Sequence, residues 1–184
     1  MMKLGTRQIV VSGLLVALTL VMGMTGIGFI PVPTPAGAAT LMHLPVELAG
    51  MLEGPLVGSF VGLIFGLFTL RFLGDLRVVI PARLLIGVVS FLVYRACGRK
   101  AWGIPIAAAA GSITNTVGTL GLAVAFGYIP LAGKEGALAI ALLQGVPEAI
   151  VAAVVLTPIV LAVGKLQRRW PDVARANQAK AKRA

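Results

Sequence analysis

The sequence predicts an all-α integral membrane protein built as a bundle of six transmembrane helices. Apolar residues make up 58% of the 184-residue chain and charged ones only 12%. That is about half the charge of an ordinary soluble domain, too little to coat a water-facing surface. The mean hydropathy of +0.98 agrees. The apolar residues also come in continuous runs, whereas the strands of a membrane barrel alternate in polarity, so no strands are expected.

The first helix is expected at 8–29. Its apolar run, Ile9 to Ile30, is far longer than a signal-peptide core, and no small-residue cleavage site follows a short core. It reads as a retained span. A proline-rich link with Pro31, Pro33 and Pro35 follows, then a short helix at 39–53. Glu53-Gly54-Pro55 forms a tight turn into a third helix at 55–73, and a charged link holds Arg71, Asp75 and Arg77. The fourth helix is placed at 81–97, with Pro81 near its start, where a missing N–H costs little. Arg99 and Lys100 mark the next turn; the fifth helix covers 102–127 and the sixth 137–164, interrupted at Gly145 and Pro147. Residues 1–170 thus form one transmembrane domain, and 171–184 a basic cytoplasmic tail without fixed structure.

The net charge of +10 would suit nucleic acid, but the basic residues sit at helix ends and in the tail. With six spans and a cytoplasmic N-terminus, twelve of the sixteen Lys and Arg fall on the cytoplasmic side; only Arg71, Arg77, Arg83 and Lys134 fall outside. This bias predicts both termini in the cytoplasm of a multi-pass cell-membrane protein. Tyr94, Trp102 and Trp170 then lie near the inner interface and Tyr128 near the outer one.

Ionisable and amide groups at membrane depth are functional candidates, because their burial is costly. They are His43 and Glu47, Asn115, and Gln144 and Glu148. His43 and Glu47 are four apart on one helical face, placed either to meet a ligand or to pair with each other. Pro147 leaves a backbone carbonyl one turn earlier free; an interrupted helix beside a carboxylate is how membrane helices build small-molecule sites. No metal is expected: there is one histidine, and Cys97 is the single thiol. No cofactor is expected either. The chain has no phosphate loop of the form G-x-x-x-x-G-K-[ST] and no evident catalytic grouping, so it reads as a binding protein, not an enzyme.

Small residues recur with a spacing of four. Gly54, Gly58, Gly62 and Gly66 line one face of the third helix, as close helix packing within the chain requires. Gly13 and Ala17 form a shorter strip on the first helix.

Residues 25–70, TGIGFIPVPTPAGAATLMHLPVELAGMLEGPLVGSFVGLIFGLFTL, resemble the first half of a substrate-binding (S) component of an energy-coupling-factor (ECF) vitamin transporter. IPARLLIGVVSFLVYRACGRK, AGSITNTVGTL and LLQGVPEAIVAAVVLTP resemble its later helices, so the likeness runs over about 8–164. The resemblance implies capture of one vitamin or precursor from outside. It also implies partners: a transmembrane coupling subunit and two ATPase subunits. It places Arg83, Asn115 and Glu148 in the pocket, makes the link from Pro31 to Ala39 a lid, and turns Gly13 and Ala17 toward the coupling subunit. Pantothenate or a hydroxymethylpyrimidine-type compound is the implied substrate. Arg83 would suit a carboxylate, whereas Glu47 and Glu148 would suit hydroxyls or a cationic ring. A stand-alone ion-coupled secondary transporter or channel, recruiting His43, Glu47 and Glu148 to an ion site, is the alternative.

Overall fold

The computed structural model describes residues 5–31, 38–73, 75–133 and 136–181. Helix α1 (Thr6–Thr25) starts at Gly5, whose N–H donates to the Gln8 side chain at 3.1 Å, and stops at Gly26 with φ 77°. Ser12 and Thr19 donate their hydroxyls to carbonyls one turn earlier, Gln8 and Leu15. Such back-bonding satisfies a hydroxyl where water is scarce.

Two short strands follow. β1 (Phe29–Pro31) pairs antiparallel with β2 (Ala38–Thr40), Phe29 opposite Thr40 and Pro31 opposite Ala38. This corrects the expectation of no strands. It also moves the start of the second helix, because 38–40 belong to the hairpin. Helix α2 spans Leu44–Glu53, with His43 as its N-cap residue and Pro45 in its first turn.

Gly54, at φ 103°, breaks the chain between α2 and α3 (Pro55–Leu73). Helix α4 (Leu76–Ala96) begins five residues earlier than expected. The Asp75 carboxylate accepts the Arg77 N–H at 2.7 Å and caps it, and Pro81 lies inside the helix. A cap of this kind outweighs a proline one turn later as a start signal. Helix α5 covers Gly103–Ala125. Helix α6 (Ala137–Ile140) runs through a π-helical turn, Ala141–Gly145, into α7 (Val146–Ala181). α7 is helical through Ala181. Its last stretch is rich in Ala, Arg, Gln and Lys, all good helix formers.

Among the described residues, four stretches are long and apolar enough to cross a membrane: Thr6–Thr25, Leu76–Ala96, Gly103–Ala125 and Ala137–Lys165. Of the other two expected spans, α3 is apolar over Pro55–Arg71. α2 has only 10 residues, about 15 Å of helix against about 30 Å of hydrocarbon.

The packing explains the short helix. α3 packs on α1 and α4, α4 on α5, and α5 on α7, while α2 touches all five of these helices. It is the axis of the bundle. Every residue from Leu44 to Met51 is buried, so protein rather than lipid surrounds it. Glycines allow the approach. A Cβ on Gly58 would lie 2.9 Å from the Cα atoms of both Gly50 and Gly87, and one on Gly87 would lie 2.5 Å from the Cα of Gly58. A Cβ on Gly62 would meet the backbone of Arg83 on α4, and one on Gly66 the side chains of Ile80 and Arg83. The glycine stripe is therefore internal packing at these positions; Gly54, at the α2–α3 break, has open space around it. Large apolar side chains such as Leu14, Met24, Leu142 and Val154 face outward.

Candidate functional site

Four elements around α2 bring the polar candidates together. Arg83 lies seven residues into α4 and is 3% exposed. It is therefore not one of the helix-end charges with which the sequence reading groups it. Its Nη1 donates to Asn115 Oδ1 and to Thr119 Oγ1 (2.6 Å), both on α5. Its guanidinium stands 4.6 Å above the Phe65 ring of α3, a favourable placement for a cation away from water.

Glu148, on α7, is 2% exposed. One carboxylate oxygen accepts the backbone N–H of Thr40 at 2.6 Å and the Gln144 amide at 3.3 Å. The other faces the Thr116 hydroxyl at 3.4 Å. The contact with Thr40 links the base of the hairpin to a helix 108 residues away. The π turn lies just before Pro147, and Gln144 and Glu148, four apart across it, reach the same place. Turns of this type concentrate at functional sites.

His43 and Glu47 sit on the axis helix, both fully buried, with His43 Nε2 3.7 Å from Glu47 Oε1. Neither side chain makes a well-formed hydrogen bond, and neither do the buried hydroxyls of Ser90 and Ser112 or the Nε of Arg83. Glu47 abuts α5 at Gly111, where a Cβ would meet its Cγ and Cδ at 2.8 and 2.9 Å and the Ser90 hydroxyl closer still.

Arg83, Asn115, Glu148 and Gln144 thus converge, and His43 and Glu47 adjoin them. Of the proposed lid residues, Pro31 ends β1 and is exposed; Pro33 and Pro35 lie outside the described residues. Gly13 and Ala17 are exposed on α1, and nothing lies within 4 Å of where a Gly13 Cβ would be. That space is not filled by internal packing.

Sequence reasoning missed Thr40, Thr116, Thr119, Ser90 and Ser112. Thr119 is one helical turn from Asn115 and was findable by spacing; Thr40 carries no local signal. An apolar groove of about 450 Å³ on the outward flank of α5 and α7 touches this cluster only at Thr116. No group of His, Cys, Asp and Glu suited to a metal occurs among the described residues.

Beyond the buried cluster, Asp75 accepts the Tyr128 hydroxyl and lies 3.3 Å from the Arg77 guanidinium. The phenol's hydrogen bond, then the Arg77 N–H and guanidinium, hold its carboxyl down to about 2.

Residues 7–161 match the family model of the ECF transporter substrate-specific component. The chain belongs to this family. It is thus the substrate-binding subunit of an ECF importer in a cell membrane, not an enzyme, and works with coupling and ATPase subunits. No curated protein matches the sequence.

Proposed function

We propose that this S component captures a vitamin or vitamin precursor, of the pantothenate or hydroxymethylpyrimidine type, between α2, α4, α5 and α7. The observation that carries this is the convergence of Arg83, Asn115, Gln144 and Glu148 beneath a hairpin that Glu148 itself holds. Binding groups supplied by separate helices, with a strap over them, suit an occluded small molecule better than a through-going channel. In this reading six helices cross the membrane and both termini are cytoplasmic. The link from Pro31 to Ala39 acts as the lid, and the 171–184 segment lies in the cytoplasm. The exposed Gly13–Ala17 strip receives a helix of the coupling subunit, which can approach closely over small residues.

The test is equilibrium binding by the purified protein, its ligand first identified by native mass spectrometry. Truncating Asn115 or Glu148 to alanine leaves ligand polar groups unpaired, at about 1–3 kcal/mol each. Affinity should fall roughly 5- to 150-fold. Affinities within twofold of wild type in both variants would place the ligand elsewhere. Uptake by the chain without ATPase subunits would instead favour an ion-coupled transporter.

A further inference from the structure

Helix α1 is attached to the bundle by a narrow stripe. Its buried residues are Ser12, Leu15, Thr19 and Gly23, and it packs on α2 and α3. The hydroxyls of Ser12 and Thr19 bond back to carbonyls of α1 itself, so they tie nothing across. Among the described residues, the side-chain hydrogen bonds that join α1 to another helix come from Arg7 and Gln8, and both end on Glu53. Arg7 Nη2 lies 2.5 Å from Glu53 Oε1, and the Gln8 amide donates to the Glu53 carbonyl at 3.1 Å. The Gln8 amide oxygen also accepts the Gly5 N–H. One amide thus serves a donor at the start of α1 and an acceptor at the end of α2, groups that a helix cannot satisfy internally.

The Glu53 side chain is 5% exposed and ends α2, at the negative end of that helix's dipole. A carboxylate so placed and so dry needs a cation, and among the described residues Arg7 is the one that reaches it. The contact has a consequence further along α1. Gly13 and Ala17 are exposed, roughly 135° round the helix from the buried stripe and about 9–15 Å along it from Arg7. Nothing lies within 4 Å of where a Gly13 Cβ would be, so no neighbouring side chain braces the strip. Its direction is set by how α1 sits on the stripe, and a roll or tilt about the stripe turns it away.

We propose that Arg7, Gln8 and Glu53 form a positioning staple. By fixing the start of α1 on the break between α2 and α3, they hold the Gly13–Ala17 strip at the angle at which the coupling subunit docks. The three residues act through the strip and do not touch the partner. The inference rests on the docking reading of that strip.

The experiment measures the affinity of the full-length chain, in nanodiscs, for the purified coupling–ATPase module by biolayer interferometry, with folding followed by circular dichroism. Arg7→Glu sets two carboxylates together. It should weaken that affinity roughly three- to tenfold, by the fraction of chains whose α1 leaves its seat. Exchanging the pair (Arg7→Glu with Glu53→Arg), or making it neutral (Arg7→Gln with Glu53→Gln), should restore affinity to within about twofold. Neither double variant has a cation at position 7, so recovery cannot come from Arg7 touching the partner or the lipid surface. Spin labels at Ile9→Cys and Leu92→Cys, both exposed, in a Cys97→Ser background give a second readout. The distance distribution between α1 and α4 should broaden in Arg7→Glu and narrow again in the exchanged pair. Undiminished affinity in Arg7→Glu overturns the proposal. So does an unbroadened distribution, or a loss of affinity that neither pair recovers, which would make Arg7 a direct contact. Leucine at both Gly13 and Ala17 separates this inference from the reading beneath it. If that variant abolishes docking and the staple variants leave it intact, the strip stands and the staple falls; if it leaves docking intact, the strip reading falls and the staple with it.

Discussion

Replacing Glu148 with alanine should release the hairpin, and the magnitude can be worked from its contacts. The carboxylate accepts three hydrogen bonds. Those from Gln144 and Thr116, at 3.3 and 3.4 Å, are long and contribute little. The one from the Thr40 N–H is short, at 2.6 Å, and its acceptor is a carboxyl oxygen buried away from water. Removing the acceptor of a buried donor costs about 1–3 kcal/mol, which corresponds to a rise of roughly 5- to 150-fold in the opening equilibrium of this strap. The assay is amide hydrogen exchange of the ligand-free protein, followed at Thr40. Exchange there should accelerate by that factor in Glu148→Ala. Amides in the centre of α5 should be unaffected, since they depend on the bundle as a whole. Ligand dissociation should quicken with the strap. An unchanged Thr40 rate would refute the latch. Equal acceleration throughout the bundle would show that Glu148 supports the fold rather than the strap.

Three further outcomes follow from other parts of the molecule. Leucine at both Gly13 and Ala17 should leave ligand binding by the isolated chain within about twofold, because the strip is open and leucine favours helix over glycine; uptake by the assembled importer should collapse, and unimpaired uptake would exclude this strip as the docking face. Alanine at Gly87 should lower the melting temperature measurably, since its Cβ would sit 2.5 Å from the Cα of Gly58 and overpacking costs about 1–3 kcal/mol; an unchanged melting temperature would mean α3 and α4 separate at no cost. The Asp75 carboxyl, usually near 3.8, is depressed to about 2 by Tyr128 first and Arg77 second, so its stabilising contribution is complete above about 4 and lost as pH falls through 2. Tyr128→Phe should move that titration upward toward the ordinary value, read from the carboxyl carbon by NMR, and no movement would discount the hydrogen bond.

What was legible in the sequence was what obeys a local period. The continuous apolar runs place the long helices, and the four-residue spacing of Gly58, Gly62 and Gly66 marks a packing face that α4 fills. His43 and Glu47 are on one face because they are four apart. The capping of α4 by Asp75 was legible in principle, as an aspartate before an apolar run, but Pro81 drew the boundary five residues late. The hairpin was not legible, because its second strand, Ala38–Thr40, is short and alanine-rich, and pairing rather than propensity makes it a strand. The bond between Thr40 and Glu148 spans 108 residues and has no local trace at all.

The second helix shows how two local anomalies can carry tertiary information when taken together. Ten helical residues reach only about half-way across the hydrocarbon, and a glutamate in the middle of an apolar helix cannot face lipid cheaply. Either fact alone suggests an error in reading the span. Jointly they require a helix enclosed by protein on all sides, because only neighbouring helices can shield its ends and its carboxyl from hydrocarbon. Enclosure of that kind demands close neighbours, and the glycines supply them: Gly50 on α2, Gly58 on α3, Gly87 on α4 and Gly111 on α5 each meet an atom of another helix where a side chain would stand. The polar residues at the centre follow from the same enclosure. A helix sheltered from lipid is the one place in such a bundle where His43 and Glu47 can be held at depth beside Arg83 and Glu148, so the element least suited to span the membrane is the one best suited to build a polar site inside it.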